Sequence, residues 1–328
     1  MKFAIIGNGL IGRERLKALE SLSWKYDIEE ICVFDVYTDS FFINPSKNAI
    51  YTNDFDYLLR RNPDLVVIAT PHNVVLDYVK RIKDLSCIVL IEKPSGRSLE
   101  EAIEIERNLC GKNCFVGFNY RFFGGIRDLL SDIEEEKFGE IISVNMVVGH
   151  GGSEGDRDSW KLDPIEGSRD CLLDPGIHFL DIINRAFPLC EPVFGRSWRG
   201  FWDTGIEEEV HLILKRGKTI INLQTSLVKW RSTFRIEVNG TDGYGIVEGR
   251  GRSYGNQTYI SGKRWQWKES GLPQRMTETK HIETVCDLSF YDELDAILGN
   301  KTLPEPCNIY QSISNVILYR NCVEVMKC

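Results

Sequence analysis

The sequence predicts an α/β chain: a doubly wound parallel sheet first, then an α+β domain with a mostly antiparallel sheet. Three observations carry this. Up to about Tyr120, short unbroken Val/Ile/Leu runs alternate with longer amphipathic stretches. Runs of that kind are strands buried on both faces, and regular alternation with helices makes a parallel sheet. Beyond Tyr120, strand-like segments follow one another through turn signals such as Asn239-Gly240 and Asp242-Gly243, which joins neighbours antiparallel. The length, 328 residues, suits two domains better than one.

The elements follow in order. FAIIG is a strand, and Ile11 to Ser21 a helix with Leu16 and Leu19 three apart. EICVFD is the second strand, and Phe55 to Arg61 a short helix that stops before Pro63. DLVVIAT is the third strand, followed by a helix from Val74 to Lys83. CIVLIEKP, a helix from Leu99 to Cys110 and CFVGF complete this part. The second part opens with a helix from Gly125 to Glu135, whose acidic end reads as a solvated face. Six strands are expected there: EIISVNMVVG, EEVHLILKR, KTIINLQTSLV, STFRIEVNG, GYGIVEG and NQTYISG. Pro175 to Ala186 is a helix among them, and Ser289 to Leu298 and Ile309 to Met326 are helices at the end. The polar stretch from Gly149 to Ser159 is the best candidate for a mobile loop over a site.

Gly7-Asn8-Gly9-Leu10-Ile11-Gly12 has the form G-x-G-x-x-G. Glycine-rich turns are common, but this one follows FAII and opens a helix. Gly7 would make the tight turn, Gly9 would admit a pyrophosphate to the backbone, and Gly12 would let helix and strand pack closely. The anion would sit at a helix N-terminus, where unpaired N–H groups and the dipole favour negative charge. Asp35 ends the second strand about twenty residues later, placed to accept from ribose hydroxyls. A carboxylate repels a 2′-phosphate, and no Arg or Lys follows in DVYTDS, so NAD is expected rather than NADP.

Two further groups suit an alcohol–ketone redox centre. Lys93, in Glu92-Lys93-Pro94 at the carboxyl end of the fourth strand, would polarise a substrate oxygen; it reads equally well as a solvated loop lysine. Asp174 sits near the start of a helix and His178 four residues later on the same face. Histidine is suited to taking a hydroxyl proton near neutral pH, with a carboxylate one turn away to orient the ring. An isolated D-x-x-x-H also reads as a helix cap beside a satisfied histidine.

Composition narrows the classes. Hydrophobic residues make up 42% and charged residues 27%, an ordinary globular balance that needs no staple. The net charge of −8 argues against general nucleic-acid binding. No apolar run approaches the ~20 residues of a membrane span, and the first residues run straight into a strand without a signal sequence, so a cytoplasmic protein is expected. The ten cysteines are scattered, mostly in apolar segments, and read as buried thiols. Cys110 and Cys114 have no second pair nearby, so no metal site is expected. Arg250, Arg252, Lys263 and Arg264, with Tyr254 and Trp265, read as a solvated hairpin.

Taken together, GNGLIG, Asp35, IATPHN, IEKP, GFNYRF and LLDPGIHFLDII occur in the order seen in the Gfo/Idh/MocA oxidoreductases, which the chain resembles over nearly its whole length. The resemblance implies an N-terminal Rossmann domain over 1–119. It implies a C-terminal α/β domain over 120–328 with an open sheet of the kind that builds homodimers or homotetramers. The final helices, from about 306 to 328, would return to the Rossmann domain. It implies that Lys93, Asp174 and His178 surround the reacting carbon, with His178 as acid/base, and that the Lys93-Pro94 bond is cis. Ala69, Thr70 and Asn73 would line the nicotinamide, with Glu92 and Asn119 nearby. The substrates implied are sugars, cyclitols and nucleotide-linked sugars. Tyr120 and Arg121 would face the cleft, and Trp160 and Lys161 would contact a sugar ring, although Trp160 also reads as a core aromatic. Two departures stand out. Arg169 interrupts a stretch often glycine-rich in relatives, and would suit an acidic substrate or form a surface salt bridge. A histidine common in relatives near Val75 is lacking. Two other readings remain at this stage. One is a non-catalytic NAD-binding regulator, against which the Lys/Asp/His trio argues. The other is a C=C or C=N reductase of the biliverdin reductase-like type.

Overall fold

In the computed structural model, residues 1–38, 49–152, 162–163, 170–264, 280–284 and 286–327 are described, together with the backbone of 42–44 and 278–279. They fall into two compact units. The first comprises Met1–Asn119 and Leu288–Val316; the second holds the described residues from 120 to 287 and the chain from Ile317.

The first unit is a doubly wound sheet. Its described strands are β1 (Lys2–Ile6), β2 (Glu30–Phe34), β3 (Phe42–Asn44), β4 (Ala49–Thr52), β5 (Leu65–Ile68), β6 (Ile88–Glu92) and β7 (Cys114–Gly117). They are ordered β3-β4-β2-β1-β5-β6-β7. All neighbours are parallel except β3 and β4, which are antiparallel. β2 and β5 are buried along their whole length, as unbroken apolar runs require. Helices α1 (Leu10–Leu22), α2 (Phe55–Arg60), α3 (Val75–Ile82) and α4 (Leu99–Asn108) connect the strands. Asp54 and Ser98 cap α2 and α4, accepting from the N–H of Tyr57 and Glu101. The core joins Phe3 and Ile5 of β1 to Leu16 and Leu19 of α1, Val67 and Leu90. Leu294 and Ile297 of α7 (Ser289–Ile297), from far along the chain, complete it. The order in which strands are added to the sheet reverses between β1 and β5, the switch point beyond which ligands bind in such sheets.

The second unit carries eight described strands ordered β15-β14-β13-β12-β8-β11-β10-β9. In chain order they are β8 (Ile141–Gly149), β9 (Glu191–Trp198), β10 (Glu209–Arg216), β11 (Thr219–Ser226), β12 (Thr233–Gly240), β13 (Gly243–Glu248), β14 (Gln257–Lys263) and β15 (Glu278–Thr284). Only β8 and β11 pair in parallel. Alternate residues are buried: Leu212 and Leu214 on β10, Phe234, Ile236 and Val238 on β12. Helix α5 (Gly124–Glu134) packs against β13, β14 and β15, and against α6 (Ile177–Ala186). The face bearing Phe194, Ile213 and Ile220 is exposed. Helix α8 (Ile309–Met326) ends the chain.

Four strands were not expected from the sequence: β3, β4, β9 and β15. β3 and β4 are three and four residues long. β9 contains Pro192 and Gly195 and is mostly exposed, and β15 reads ETKHIET. β3, β9 and β15 are sheet edges, where polar composition and Pro are tolerated because one side lacks a neighbour. Their pairing comes from the adjacent strand and leaves little trace in their own periodicity.

Candidate active site

The glycine turn is built around two close approaches. Gly7 has φ +101°, a left-handed conformation. Its N–H donates to the Phe34 carbonyl at 2.8 Å. A Cβ there would also lie 2.4 Å from the Ala69 carbonyl oxygen, and one at Gly12 would lie 1.9 Å from the Gly7 oxygen. Both positions exclude any larger residue. Gly9 differs: nothing lies within 4 Å of its Cβ position. Gly9 is the N-cap of α1 and supplies no side-chain hydrogen bond to the first turn. Leu10 beside it is half exposed, and Asn8 and Ile11 are partly buried. A helix N-terminus without its own cap, reached across a glycine, is a cradle for an anion.

Asp35 follows β2 and turns back to this loop. Its Oδ2 accepts from the Asn8 N–H at 2.6 Å and its Oδ1 from the Tyr37 N–H at 2.9 Å. The carboxylate therefore fixes the glycine turn and keeps lone pairs for hydroxyl donors. Beyond β5, the Thr70 hydroxyl and the Asn73 amide oxygen are buried with no hydrogen-bond partner among the described residues. Buried polar atoms are normally paired, so two orphans next to the Gly7 turn mark a polar ligand site. Ala69 is engaged through its backbone, its N–H donating to Ile6 at 2.8 Å. The open cradle, the carboxylate and the orphaned polar atoms fit a dinucleotide, which Gly9–Gly12, Asp35, Thr70 and Asn73 would hold.

Glu92, expected beside the nicotinamide, is held in an ion pair. Arg15, fully buried on α1, donates from Nε to Glu92 Oε1 at 2.6 Å, and its Nη2 lies 2.6 Å from Glu293 Oε2 on α7. A Cβ on Gly117 would approach Glu92 and Arg15 to 2.7 and 2.8 Å, so this glycine makes room for the ion pair. A carboxylate buried at a strand end requires such a cation. The signal for Arg15 was present: it falls on the apolar stripe of α1 with Gly12, Leu16, Leu19 and Leu22. Lys93 follows β6, half-buried, and the Lys93-Pro94 bond is cis. The Asn119 amide donates to Ser289 Oγ at 2.8 Å and is buried.

In the second unit, α6 begins at Ile177, so Asp174 lies in the preceding turn and not on the helix. The expected helical spacing of Asp174 and His178 is corrected accordingly: Pro175 cannot supply a helical N–H, and Gly176 is the cap. Asp170 shapes that turn, accepting from the Leu173 N–H at 2.7 Å and from Tyr319 Oη. Gly176 is required, because a Cβ would meet the Leu172 oxygen at 2.6 Å and Thr225 Cγ2 at 2.7 Å. His178 is buried, and its ring stacks on Tyr120 with centroids 3.8 Å apart and planes at 9°. Burial pushes the Tyr120 hydroxyl well above its usual range; Arg250 opposes this, while Tyr254, Asp174 and Asp287 add to it. Tyr120, His178, Asp174 and Arg250 therefore share one neighbourhood. Arg121, expected to face substrate, is buried, and its guanidinium is bidentate to Asp181 of α6 at 2.7 and 2.6 Å. Arg250, expected on a solvated hairpin, is the residue the sequence reading missed. Arg252, Lys263 and Arg264 are exposed as expected. Trp160, Lys161 and Arg169 lie outside the described residues, as do Trp265 and most of the expected loop from Gly149 to Ser159.

The nine described cysteines are free thiols. No helix among the described residues is long and apolar enough to cross a membrane.

Comparison with known proteins identifies the family. Residues 1–120 match the family model for the NAD-binding Rossmann fold of the oxidoreductase family, and residues 126–245 match that for the GFO/IDH/MocA C-terminal domain. No curated protein sequence matches significantly. Among solved structures, levoglucosan dehydrogenase in complex with NADH is 15% identical over all of this chain and 97% of its own, with TM-score 0.79. The WlbA dehydrogenase of Bordetella pertussis, in complex with NADH and UDP-GlcNAcA, is 15% identical over 100% and 96%, with TM-score 0.73. A Desulfitobacterium hafniense protein assigned as an NADPH-dependent oxidoreductase is 16% identical over 100% and 95%, with TM-score 0.79. At these identities the neighbours show the fold, and the family models show the relationship. The chain belongs to the Gfo/Idh/MocA family of NAD-binding oxidoreductases.

Proposed function

We propose that the chain is an NAD-dependent dehydrogenase or ketoreductase acting on a hydroxyl or keto carbon of a sugar, cyclitol or nucleotide sugar. The observation that carries this reading is His178 held flat on Tyr120, in a chain that also bears the Gly7–Gly12 cradle. Bound NAD supplies the hydride acceptor, and its reduced form the donor. His178 takes the hydroxyl proton as the alcohol becomes a ketone and returns it in reduction. Lys93 stabilises the developing oxyanion, and Asp174 orients the histidine and the substrate. Tyr120 fixes the plane of the imidazole. Asp35 selects NAD over NADP by repelling a 2′-phosphate. The solved neighbours that bind NADH with a sugar or a nucleotide sugar support the substrate class. The domain division at 119/120, the return of the last helices to the first domain and assembly as a homodimer or homotetramer through the exposed sheet face belong to the same proposal.

The test is a turnover screen of sugars, cyclitols and nucleotide sugars with NAD, following NADH formation. Oxidation of at least one secondary alcohol is expected. NADH consumption only on C=C or C=N substrates would replace this reading with the reductase alternative.

A further inference from the structure

Arg15 and Arg121 are buried and Arg250 is partly buried, and the three are handled in two ways. Arg15 has carboxylate partners at 2.6 Å on Glu92 and Glu293. Arg121 has a bidentate partner in Asp181. Arg250, after β13, has neither. Its guanidinium carbon lies 4.1 Å from the Tyr254 ring centroid and 5.6 Å from that of Tyr120. Its Nε is buried with no hydrogen-bond partner among the described residues. Among the described residues no carboxylate forms an ion pair with it, and Asp287 acts on it only at longer range.

A guanidinium out of water is costly unless its donors are met by an anion. Aromatic rings lie over its faces and the Tyr254 hydroxyl acts on it as a hydrogen-bonding neighbour, but its Nε is left unmet. Here the cation sits beside the ring that carries His178, in the field that also contains Asp174. Its five-donor fork matches the geometry of a carboxylate or phosphate.

We propose that Arg250 is the anion-recognising residue of the substrate site, and that the substrate is an acidic sugar bearing a carboxylate or phosphate. This rests on the oxidoreductase reading above. The ring stack with Tyr254 and Tyr120 holds the guanidinium in place before the anion arrives, which lowers the ordering cost of binding.

The experiment titrates the NADH-loaded protein by calorimetry with glucose, glucuronate and glucose 6-phosphate, after NADH affinity itself has been measured. At least one acidic sugar is expected to bind about tenfold or more tightly than glucose. Glucuronate ahead of glucose 6-phosphate assigns a carboxylate, and the reverse order a phosphate. Arg250→Gln is expected to bring both down to the level of glucose with NADH affinity unchanged, and Arg250→Lys to retain part of the preference. Thermal melts of both variants establish that they fold, and the wild-type comparison stands if either does not. Acidic sugars binding no better than glucose, or a preference that survives Arg250→Gln, overturns the proposal while the oxidoreductase reading stands. Failure of the wild type to bind NADH overturns both.

Discussion

The imidazole of His178 lies on the phenol ring of Tyr120, with centroids 3.8 Å apart and planes only 9° from parallel. Both residues are buried. An acid/base group must hold its proton-carrying atom within a few tenths of an ångström of its partner, and a flat stack removes one rotational freedom of the ring. Tyr120→Phe keeps the stacking face and is expected to keep kcat within a few-fold. Tyr120→Ala is expected to lower kcat by about 10–100-fold and to cost about 3–5 kcal/mol of stability as a large-to-small core change. Steady-state kinetics and denaturant melts of the pair check this. Equal losses in Phe and Ala would assign the effect to the hydroxyl.

Gly9 and Gly12 separate ligand binding from folding. A Cβ on Gly12 collides with the Gly7 carbonyl, whereas one on Gly9 meets nothing. Gly12→Ala is expected to lower both thermal stability and NADH affinity. Gly9→Ala is expected to leave the apoprotein's melting temperature unchanged and to weaken NADH binding by about tenfold or more, because it crowds the approach to the α1 N-terminus. Unchanged NADH affinity in Gly9→Ala would remove the cradle from the account.

Asp35 accepts from the Asn8 N–H at 2.6 Å, and in the proposed function it also repels a 2′-phosphate. Asp35→Asn keeps an acceptor for Asn8 and removes the charge. The NADH-over-NADPH preference is expected to fall by about tenfold, close to the loss of one charge-assisted hydrogen bond. Fluorescence titration with both cofactors measures the ratio, and an unaltered ratio would place cofactor selection elsewhere.

Acid stability should report on Asp295. This α7 carboxylate accepts from Lys25 Nζ at 2.7 and 2.8 Å, from Tyr26 Oη at 2.7 Å and from Asn300 Nδ2 at 2.6 Å. Burial raises its pKa, but the hydrogen bonds from Lys25, Asn300 and Tyr26 outweigh that and hold it below the usual carboxylate range. The unfolded chain then binds more protons than the folded one around the ordinary value of about 3.9, so stability rises with pH there. The contribution is present above that pH and lost as pH falls through the lower folded value. Wild-type stability is expected to drop more steeply below about pH 4 than that of Asp295→Asn. Superimposable acid limbs in denaturant melts would contradict the assignment.

What was legible in the sequence was what local pattern encodes. The unbroken runs of β1, β2, β5 and β6 announce a buried parallel sheet, and Gly7, Gly12 and Asp35 are set by turn geometry at fixed offsets. What was not legible depends on partners distant in the chain. The place of Arg15 on the apolar stripe of α1 marks it as buried, but nothing local names its partners, Glu92 and Glu293, 77 and 278 positions later. Arg121 follows a Rossmann strand like a cleft residue, yet Asp181 draws it inward. Arg250 lies in a glycine-rich polar turn that reads as solvated, and only the fold brings Tyr120 to it. β9 and β15 are strands because their neighbours make them so.

The most direct test of the central claim is the single-turnover rate of NADH formation by wild type, Lys93→Ala and His178→Ala on the best substrate from the screen. Each substitution is expected to slow the step by about 100-fold or more with NADH affinity within a factor of about two of wild type. Rates within a few-fold of wild type in both variants would contradict the catalytic assignment and leave a chain that binds NAD without using these residues for chemistry.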